Sequence, residues 1–354
     1  MQIASVEVIP YALPFEQPYV TARGALERRE MVLLRLRDVD GVVGLGEAVP
    51  LTLRGGVGLT EVVSELEEWA ERQVDERLSG PARCAVATAR ADLLGRRAAG
   101  QGGDGDEAVP CNATLVVGAP EAVAAEARRW AADGFTTFKL KLGAESVKNL
   151  AEQGIARTRA DVEQVRAVRE AVGPRARIRV DANEAWDLET AKRTLAELEP
   201  YGIELAEQPV AGLEAMAELA ASTSIPLAAD ESVTNLDEAE RAVRMGACTY
   251  TGIKLSKVGG PEAALAIADV LPAYITSALD GPVGIAAAAQ VALSLAETTH
   301  PERLHLAHGL ATQRLFAETI AAVECELRDG MLHLPPGPGL GVEIDEEALQ
   351  AHRI

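Results

Sequence analysis

The hydrophobic positions of this chain change their period twice. Residues 1 to about 50 alternate, in the runs IASVEVIPYAL and MVLLRLRDVDGVVGLGEAV. That period of two predicts strands, with a turn at Asp38 to Gly41. Two stretches of helical period follow, Leu59 to about Ser79 and Ala82 to about Ala99. The Gly-rich acidic run GQGGDGDEA then reads as a linker. From about Pro110 strand and helix patterns take turns. CNATLVV precedes PEAVAAEARRWAADG, TTFKLKL precedes RADVEQVRAVREAVG, RIRVDAN precedes LETAKRTLAELEPYG, and IELAEQP precedes LEAMAELAAS. PLAADES, CTYTGIKL and AYITSAL each lead into a further helix, and LHLAHGL is the eighth strand. The tail ECELRDGMLHLPPGPGLGVEI returns to strand and turn rhythm.

Eight strands with seven intervening helices predict an α/β fold with a parallel sheet. Nearly even units without a cofactor fingerprint favour a closed barrel over an open, doubly wound sheet. The predicted organisation is a (β/α)7β modified TIM barrel over residues 109–320. An α+β capping domain is formed by residues 1–108 and by the returning segment 321–354. Two places depart from the rhythm: the long insertion GAESVKNLAEQGIAR (143–157), and the sixth helix, GGPEAALAIADVLP, which is short for a crossover.

Composition narrows the partners. Of 354 residues, 48% are hydrophobic and 25% charged, and no apolar run is long enough to span a bilayer. The N-terminus alternates like a strand and lacks the basic start of a secretory signal. Cys84, Cys111, Cys248 and Cys325 are far apart, without a CxxC pair, which suits reduced thiols in a cytoplasmic protein. A net charge of −20 argues against nucleic acid. It also means that an anionic small molecule would need local cations to reverse the field.

Such cations stand in FKLKLG. Lys139 and Lys141 alternate with Phe138, Leu140 and Leu142, so both point to one face of a strand that is otherwise buried. Barrel enzymes take their catalytic groups from the C-terminal ends of strands. Strand two ends in these lysines. Strand three ends in Asp181 and Asn183, strand four in Glu207, and strand five in Asp230 and Glu231. Strand six ends in Lys254 and strand seven in Asp280. Any one of these also reads as a polar residue pairing locally. Three carboxylates on consecutive strands, however, repel one another without a cation, and oxygen ligands lacking Cys or His suit a hard ion such as Mg²⁺, with Mn²⁺ as a substitute. Asp181, Glu207 and Asp230 are the candidate ligands, with Asn183 and Glu231 orienting them. A lysine beside a divalent cation and another ammonium has its pKa lowered and can serve as a base.

KxK on strand two, DAN on strand three, EQP on strand four, DES on strand five and a strand-six lysine followed by GG resemble the enolase superfamily, in its muconate-lactonizing subgroup. GEA at Gly46 to Ala48 fits that subgroup's capping domain. The resemblance covers nearly the whole chain. It implies a Mg²⁺-dependent enzyme that removes the proton next to a carboxylate and stabilises the enediolate. Lys141 is then the acid/base. Lys139 lowers its pKa and contacts the carboxylate, and Lys254 faces the other side. Such lysine and Mg²⁺ chemistry is a general property of that superfamily.

Within the subgroup, SALDGPVG and AHGLATQRLFAET are similar to o-succinylbenzoate synthases, lyases of menaquinone biosynthesis. The resemblance thus favours dehydration to o-succinylbenzoate. The alternatives are N-succinylamino acid racemization, dipeptide epimerization, muconate cycloisomerization and a non-catalytic relative. Epimerases carry an Asp-x-Asp at strand eight, where this chain has His308, Gly309 and Leu310. Cycloisomerases usually have Glu where Asp280 stands. KLSKVGG lacks the Pro-Gly-Arg that many synthase/racemase enzymes carry. Specificity is expected from cap loops holding Thr21, Arg23, Leu53 and Arg54, and from Asp280 and His308. An arginine there can pair with a distal carboxylate or simply be solvated; His308 can line the pocket or pack at the strand end. The expected partner is a small carboxylate, with no nucleic acid and no membrane, and a homo-oligomer is left open.

Overall fold

The computed structural model describes residues 2–21, 24–52, 55–98, 106–116, 118–143, 150–296 and 306–354. An antiparallel sheet comes first: β1 (Ile3–Thr21), β2 (Gly24–Asp38) and β3 (Val43–Ala48), in that order. The Asp38–Gly41 turn forms as the alternation predicts. The inner face of the sheet buries Val32, Leu34 and Leu36 against α1 (Leu59–Arg72) and α2 (Gly80–Arg97). The first helix stops well before Ser79. Gln73 takes a left-handed conformation, φ 52°, and its N–H returns to the Trp69 carbonyl, closing the helix there. Most of the GQGGDGDEA stretch lies outside the described residues.

After β4 (Ala108–Pro110), seven parallel strands follow in consecutive order: β5 (Ala113–Leu115), β6 (Thr137–Lys141), β7 (Arg177–Asp181), β8 (Ile203–Glu207), β9 (Leu227–Ala229), β10 (Tyr250–Ile253) and β11 (Ala273–Ile275). Helices α3 (Pro120–Ala132), α4 (Leu150–Val172), α5 (Leu188–Leu198), α6 (Leu213–Ala220) and α7 (Leu236–Met245) connect the first six strands. The pair α8 (Leu255–Val258) and α9 (Pro261–Val270) leads to the seventh, and α10 (Pro282–Ala296) follows it. Side chains acting as caps start several of these helices: Asp187 accepts from the Thr190 N–H, and Asn235 from the Glu238 N–H. The sixth helix is not the shortest, since α9 has 10 residues and α6 only 8. Of the 143–157 insertion, residues 144–149 lie outside the described residues, and α4 begins at Leu150.

Among the described residues, the eighth strand is a short stitch. His308 bridges Cys111 next to β5, and Gly309 bridges Thr276 just after β11. The N–H of Asn112 donates to the His308 carbonyl at 2.9 Å, and that of Gly309 to the Ile275 carbonyl at 2.8 Å. One segment therefore joins both edges of the seven-stranded sheet and closes the ring. In the tail, β12 (Ala321–Val323) pairs with β15 (Glu343–Ile344). β13 (Glu326–Arg328) and β14 (Met331–His333) extend from β4. The last helix, α11 (Glu346–His352), returns to the N-terminal sheet, where Arg353 bridges Tyr11 and the Ile354 N–H reaches the Pro10 carbonyl.

Candidate active site at the barrel mouth

Phe138 and Leu140 face the helix layer and are buried, so the alternation of β6 turns Lys139 and Lys141 into the barrel. Strand register then brings their partners alongside. Lys141 lies opposite Asp181 on β7, and Asp181 opposite Glu207 on β8. The Lys139 ammonium donates to both Glu207 oxygens at 2.9 Å and stands 3.1 Å from Asp181 Oδ2. Lys141 donates to Asp181 Oδ2 at 2.5 Å and to Asn183 Oδ1 at 3.0 Å. Asn183 in turn donates to Glu231 Oε1 at 3.3 Å. Across the ring, Lys254 donates to Asp230 Oδ2, while Lys257 donates to Asp230 Oδ1 at 2.7 Å and to the Asp230 carbonyl. The eight strand-end residues Lys139, Lys141, Asp181, Asn183, Glu207, Asp230, Glu231 and Lys254 thus form one linked cluster.

Burial makes the electrostatics strong. Asp181, Glu207 and Asp230 are almost fully inaccessible to water, and Lys139 is 6% exposed. Burial alone would raise the Asp181 pKa, but Lys141 and Lys139 outweigh it and hold the carboxyl well below its usual range. For Lys139, burial favours the neutral amine, but Glu207 and Asp181 prevail, and the group is held above the usual lysine range. Lys141 goes the other way. Burial lowers its pKa, Asp181 opposes this, and the charges of Lys139 and Lys254 add to the lowering. Two lysines on one strand face are thereby differentiated: one is locked as a cation and the other is inclined to give up its proton.

The loops at this end of the barrel hold strained backbone. Asn183, Glu184, Gln208 and Leu279 all have left-handed φ, 47°, 65°, 38° and 67°, a conformation that side chains disfavour and that gathers at functional sites. Gln208 shows what this achieves. Its Oε1 accepts from the N–H groups of Asp230 and Ser232, at 2.9 and 3.1 Å, and its Nε2 donates to the Ser232 hydroxyl and the Val210 carbonyl. It staples the end of β8 to the loop that carries Asp230. Sequence reasoning quoted this residue within EQP, and Lys257 within KLSKVGG, without giving either a role. Their partners lie 22 and 27 residues away, at a distance no local pattern reveals.

The remaining candidates stand apart from the cluster. Asp280 accepts from the Ser277 hydroxyl and the Ala278 N–H, both at 2.6 Å, and from Ser256 at 3.3 Å. Those bonds commit its oxygens to shaping the loop after β11. His308 sits in the closing stitch, where its Nδ1 accepts from the Ile275 N–H at 3.0 Å. Burial, helped by Arg179, pushes its pKa down to about 3, so the ring is neutral and packs the strand end. Thr21 ends β1, its backbone paired with Gly24. Arg23, Leu53 and Arg54 lie outside the described residues. Among the described residues of the cap, a cavity of about 640 Å³ is lined by Pro18, Glu27, Arg28, Arg29, Pro50 and Thr52.

The donor chemistry fits a hard divalent cation: three buried carboxylates, oxygen donors only, on adjoining strands. Asp181 and Glu207 both lie against the Lys139 ammonium, at 3.1 and 2.9 Å, and such like charges call for a cation between them. Here lysines supply it. Among the described residues no three Asp, Glu, His or Cys side chains are set as a ready cage, because each carboxylate is turned to an ammonium.

Comparison with known proteins bears on this geometry. The sequence profile of the family described as Enolase C-terminal domain-like matches residues 122–348. The chain is 38% identical over 211 residues to an o-succinylbenzoate synthase of Thermobifida fusca, a match covering 59% of this chain and 61% of that protein, under two thirds of its length. The muconate lactonizing enzyme of Pseudomonas fluorescens, solved with muconolactone, superposes with a TM-score of 0.82 at 29% identity, over 100% of this chain and 99% of that one. The dipeptide epimerase of Enterococcus faecalis V583, solved with Mg and L-Leu-L-Tyr, gives 0.85 at 25% identity, over 97% and 100%. With its barrel, its strand-end lysines and its carboxylates in this arrangement, the chain belongs to the enolase superfamily, among relatives of the muconate cycloisomerase kind.

Proposed function

We propose that this enzyme abstracts the proton α to a substrate carboxylate, with Lys141 as the acid/base, and that the overall reaction is dehydration to o-succinylbenzoate. The observation that carries the reading is the interleaving of lysines and carboxylates. Lys141 and Lys254 each rest on a strand-end aspartate from different sides of the ring, with Lys139 fixed between Asp181 and Glu207. Asp181, Glu207 and Asp230 would hold Mg²⁺, on which members of this superfamily generally depend. When bound, the ion neutralises charge developing on the substrate carboxylate. Lys139, Lys141, Lys254 and Lys257 balance Asp181, Glu207, Asp230 and Glu231, so a divalent cation leaves the site too positive. An anionic substrate and one proton lost from a lysine restore neutrality. Burial loosens the protons of both Lys141 and Lys257; Lys257 is tied to both the carbonyl and the carboxylate of Asp230, so we assign the loss to Lys141.

In the dehydration Lys141 takes the α-proton and then returns it to the departing hydroxyl, while Lys254 stabilises enediolate charge from the opposite side. Residues 1–108 with 321–354 act as the cap and 109–320 as the catalytic barrel, and the cap edge, where Arg28 lines the cavity, receives the distal part of the substrate. The absence of an Asp-x-Asp at His308–Leu310 supports the synthase over the epimerase. Racemization of N-succinylamino acids is the second reading. It is favoured by the matched placement of Lys141 and Lys254, each on its own aspartate. The test is turnover of the hydroxylated cyclohexadiene precursor beside dipeptides, N-succinylamino acids and muconate, in deuterated solvent. Lys141→Ala is expected to abolish both turnover and α-proton exchange. Near wild-type turnover in that variant would remove the base from β6. Efficient epimerization of dipeptides with no dehydration of the precursor would overturn the synthase reading.

A further inference from the structure

Below the lysine–carboxylate layer, the barrel interior holds a second set of inward residues. Side chains two apart on a strand share a face, so Arg179 lies under Asp181, Leu205 under Glu207 and Gly252 under Lys254. Tyr274 occupies the middle of β11 and packs with Leu205 and Ala228. It is fully buried, and its hydroxyl donates to Glu207 Oε2 at 2.5 Å. Its ring is held from one side by Arg179, whose guanidinium carbon is 5.0 Å from the ring centroid. Arg179 is fixed in turn. Nε donates to Glu204 at 2.5 Å and Nη1 to the Ala307 carbonyl at 2.6 Å. Nη2 has no hydrogen-bond partner among the described residues. Gly252 makes room for the phenol tip. A Cβ at that position would meet both Cζ and Oη of Tyr274 at 3.3 Å.

We propose that Tyr274, clamped by Arg179, is the positioning residue that sets the Glu207 carboxylate for the divalent cation; this rests on the reading of Glu207 as a ligand. A glutamate side chain is long and rotates freely, and Lys139 alone, bonded to both oxygens, leaves the carboxylate free to swing about that ammonium. A second donor on Oε2, rising from the strand three places round the ring, fixes its plane. Partners that orient a ligand typically change metal affinity by about 10- to 100-fold when removed. The arrangement also runs continuously from the closing stitch, through Arg179 and Tyr274, to the candidate metal layer.

The experiment titrates metal-free protein with Mn²⁺, following the free-ion electron paramagnetic resonance signal, and records a thermal melt of each variant. Tyr274→Phe keeps the ring and removes the donor. It is expected to bind Mn²⁺ about tenfold more weakly while melting within a few degrees of wild type. Glu207→Gln is expected to lose most of the binding. Wild-type affinity in folded Tyr274→Phe, with binding lost in Glu207→Gln, overturns the positioning role alone. Wild-type affinity in Glu207→Gln overturns the ligand reading on which it rests. Should Tyr274→Phe fail to fold, Gly252→Val decides. A Cβ there already meets Cζ and Oη of Tyr274 at 3.3 Å, so the two further methyl groups leave the phenol tip no room against Glu207, and unchanged affinity in that variant refutes the proposal.

Discussion

Two buried polar clusters in this protein are balanced in opposite ways. At the barrel mouth Asp181, Glu207 and Asp230 each have a lysine against them. At the seam between the N-terminal sheet and the barrel, acids outnumber cations. There Glu47, from β3, accepts from the Tyr11 hydroxyl at 2.8 Å and from the Gly281 N–H at 2.7 Å. It reaches the start of α10 because residues 281 and 284 are glycines. A Cβ at either would come within 2.7 Å of a Glu47 oxygen. Asp280 adds a second negative charge nearby, and the local cation, Arg29, is spent on the Pro50 and Ala278 carbonyls. The consequence is a different protonation. Burial, with Asp280 adding to it, raises Glu47 to about 7, whereas the lysines drive Asp181 down. Burial is nearly the same in both places, so the count of neighbouring cations decides which carboxyl is held as an acid and which as an anion.

The pH dependence of stability should therefore have opposite signs. Asp181 contributes stability above the ordinary carboxylate pKa, and that contribution is lost as pH falls toward its depressed folded value. Glu47 has a raised folded pKa, so its contribution is full below about 4.5 and is lost as pH rises through about 7.

The largest effect comes from breaking the mouth. Asp230→Asn removes a candidate ligand and the anion on which two lysines rest. Turnover is expected to fall by at least about 10³-fold, with divalent-metal affinity falling in parallel. A steady-state assay and a metal titration check this, and retained activity at saturating Mg²⁺ would contradict it. The intermediate effect lies at the seam. Glu47→Gln cannot ionise, so its melting temperature at pH 8 is expected to exceed that of wild type by a few degrees, with the difference vanishing near pH 5. Melts across that range provide the test, and parallel curves for the two proteins would rule out a titrating Glu47. The smallest effect comes from Asp280→Asn, which removes one of the influences raising Glu47. The midpoint of the pH-dependent loss of stability should move down by about one unit or less. An unmoved midpoint would leave burial as the whole cause.

The contrast also explains what could be read in advance. Lys139, Lys141, Asp181, Glu207, Asp230 and Lys254 were legible because strands alternate and barrel chemistry gathers at strand ends. Five short motifs thus fall on a known geometric frame. The helices were legible from their period, and the early end of α1 was missed because Gln73, not glycine, takes the left-handed position. The eighth strand was counted from LHLAHGL, and among the described residues its pairing consists of two bridges. Glu47 was quoted only as part of GEA. Its partners are 36 residues away at Tyr11 and 234 away at Gly281, so its environment exists only after the cap has met the barrel. Tyr274 was similarly hidden, as one aromatic residue in a short strand whose hydroxyl finds Glu207 across the ring.

The two bridges of the closing stitch matter beyond the shape of the ring. A parallel sheet left open would present the N–H and C=O groups of β5 and β11 along two bare edges, and bare edges recruit strands from other molecules. Residues 307–310 occupy both edges at once with little more than four residues of backbone. A short, irregular segment thereby leaves neither of those edges bare for pairing with a strand of another molecule.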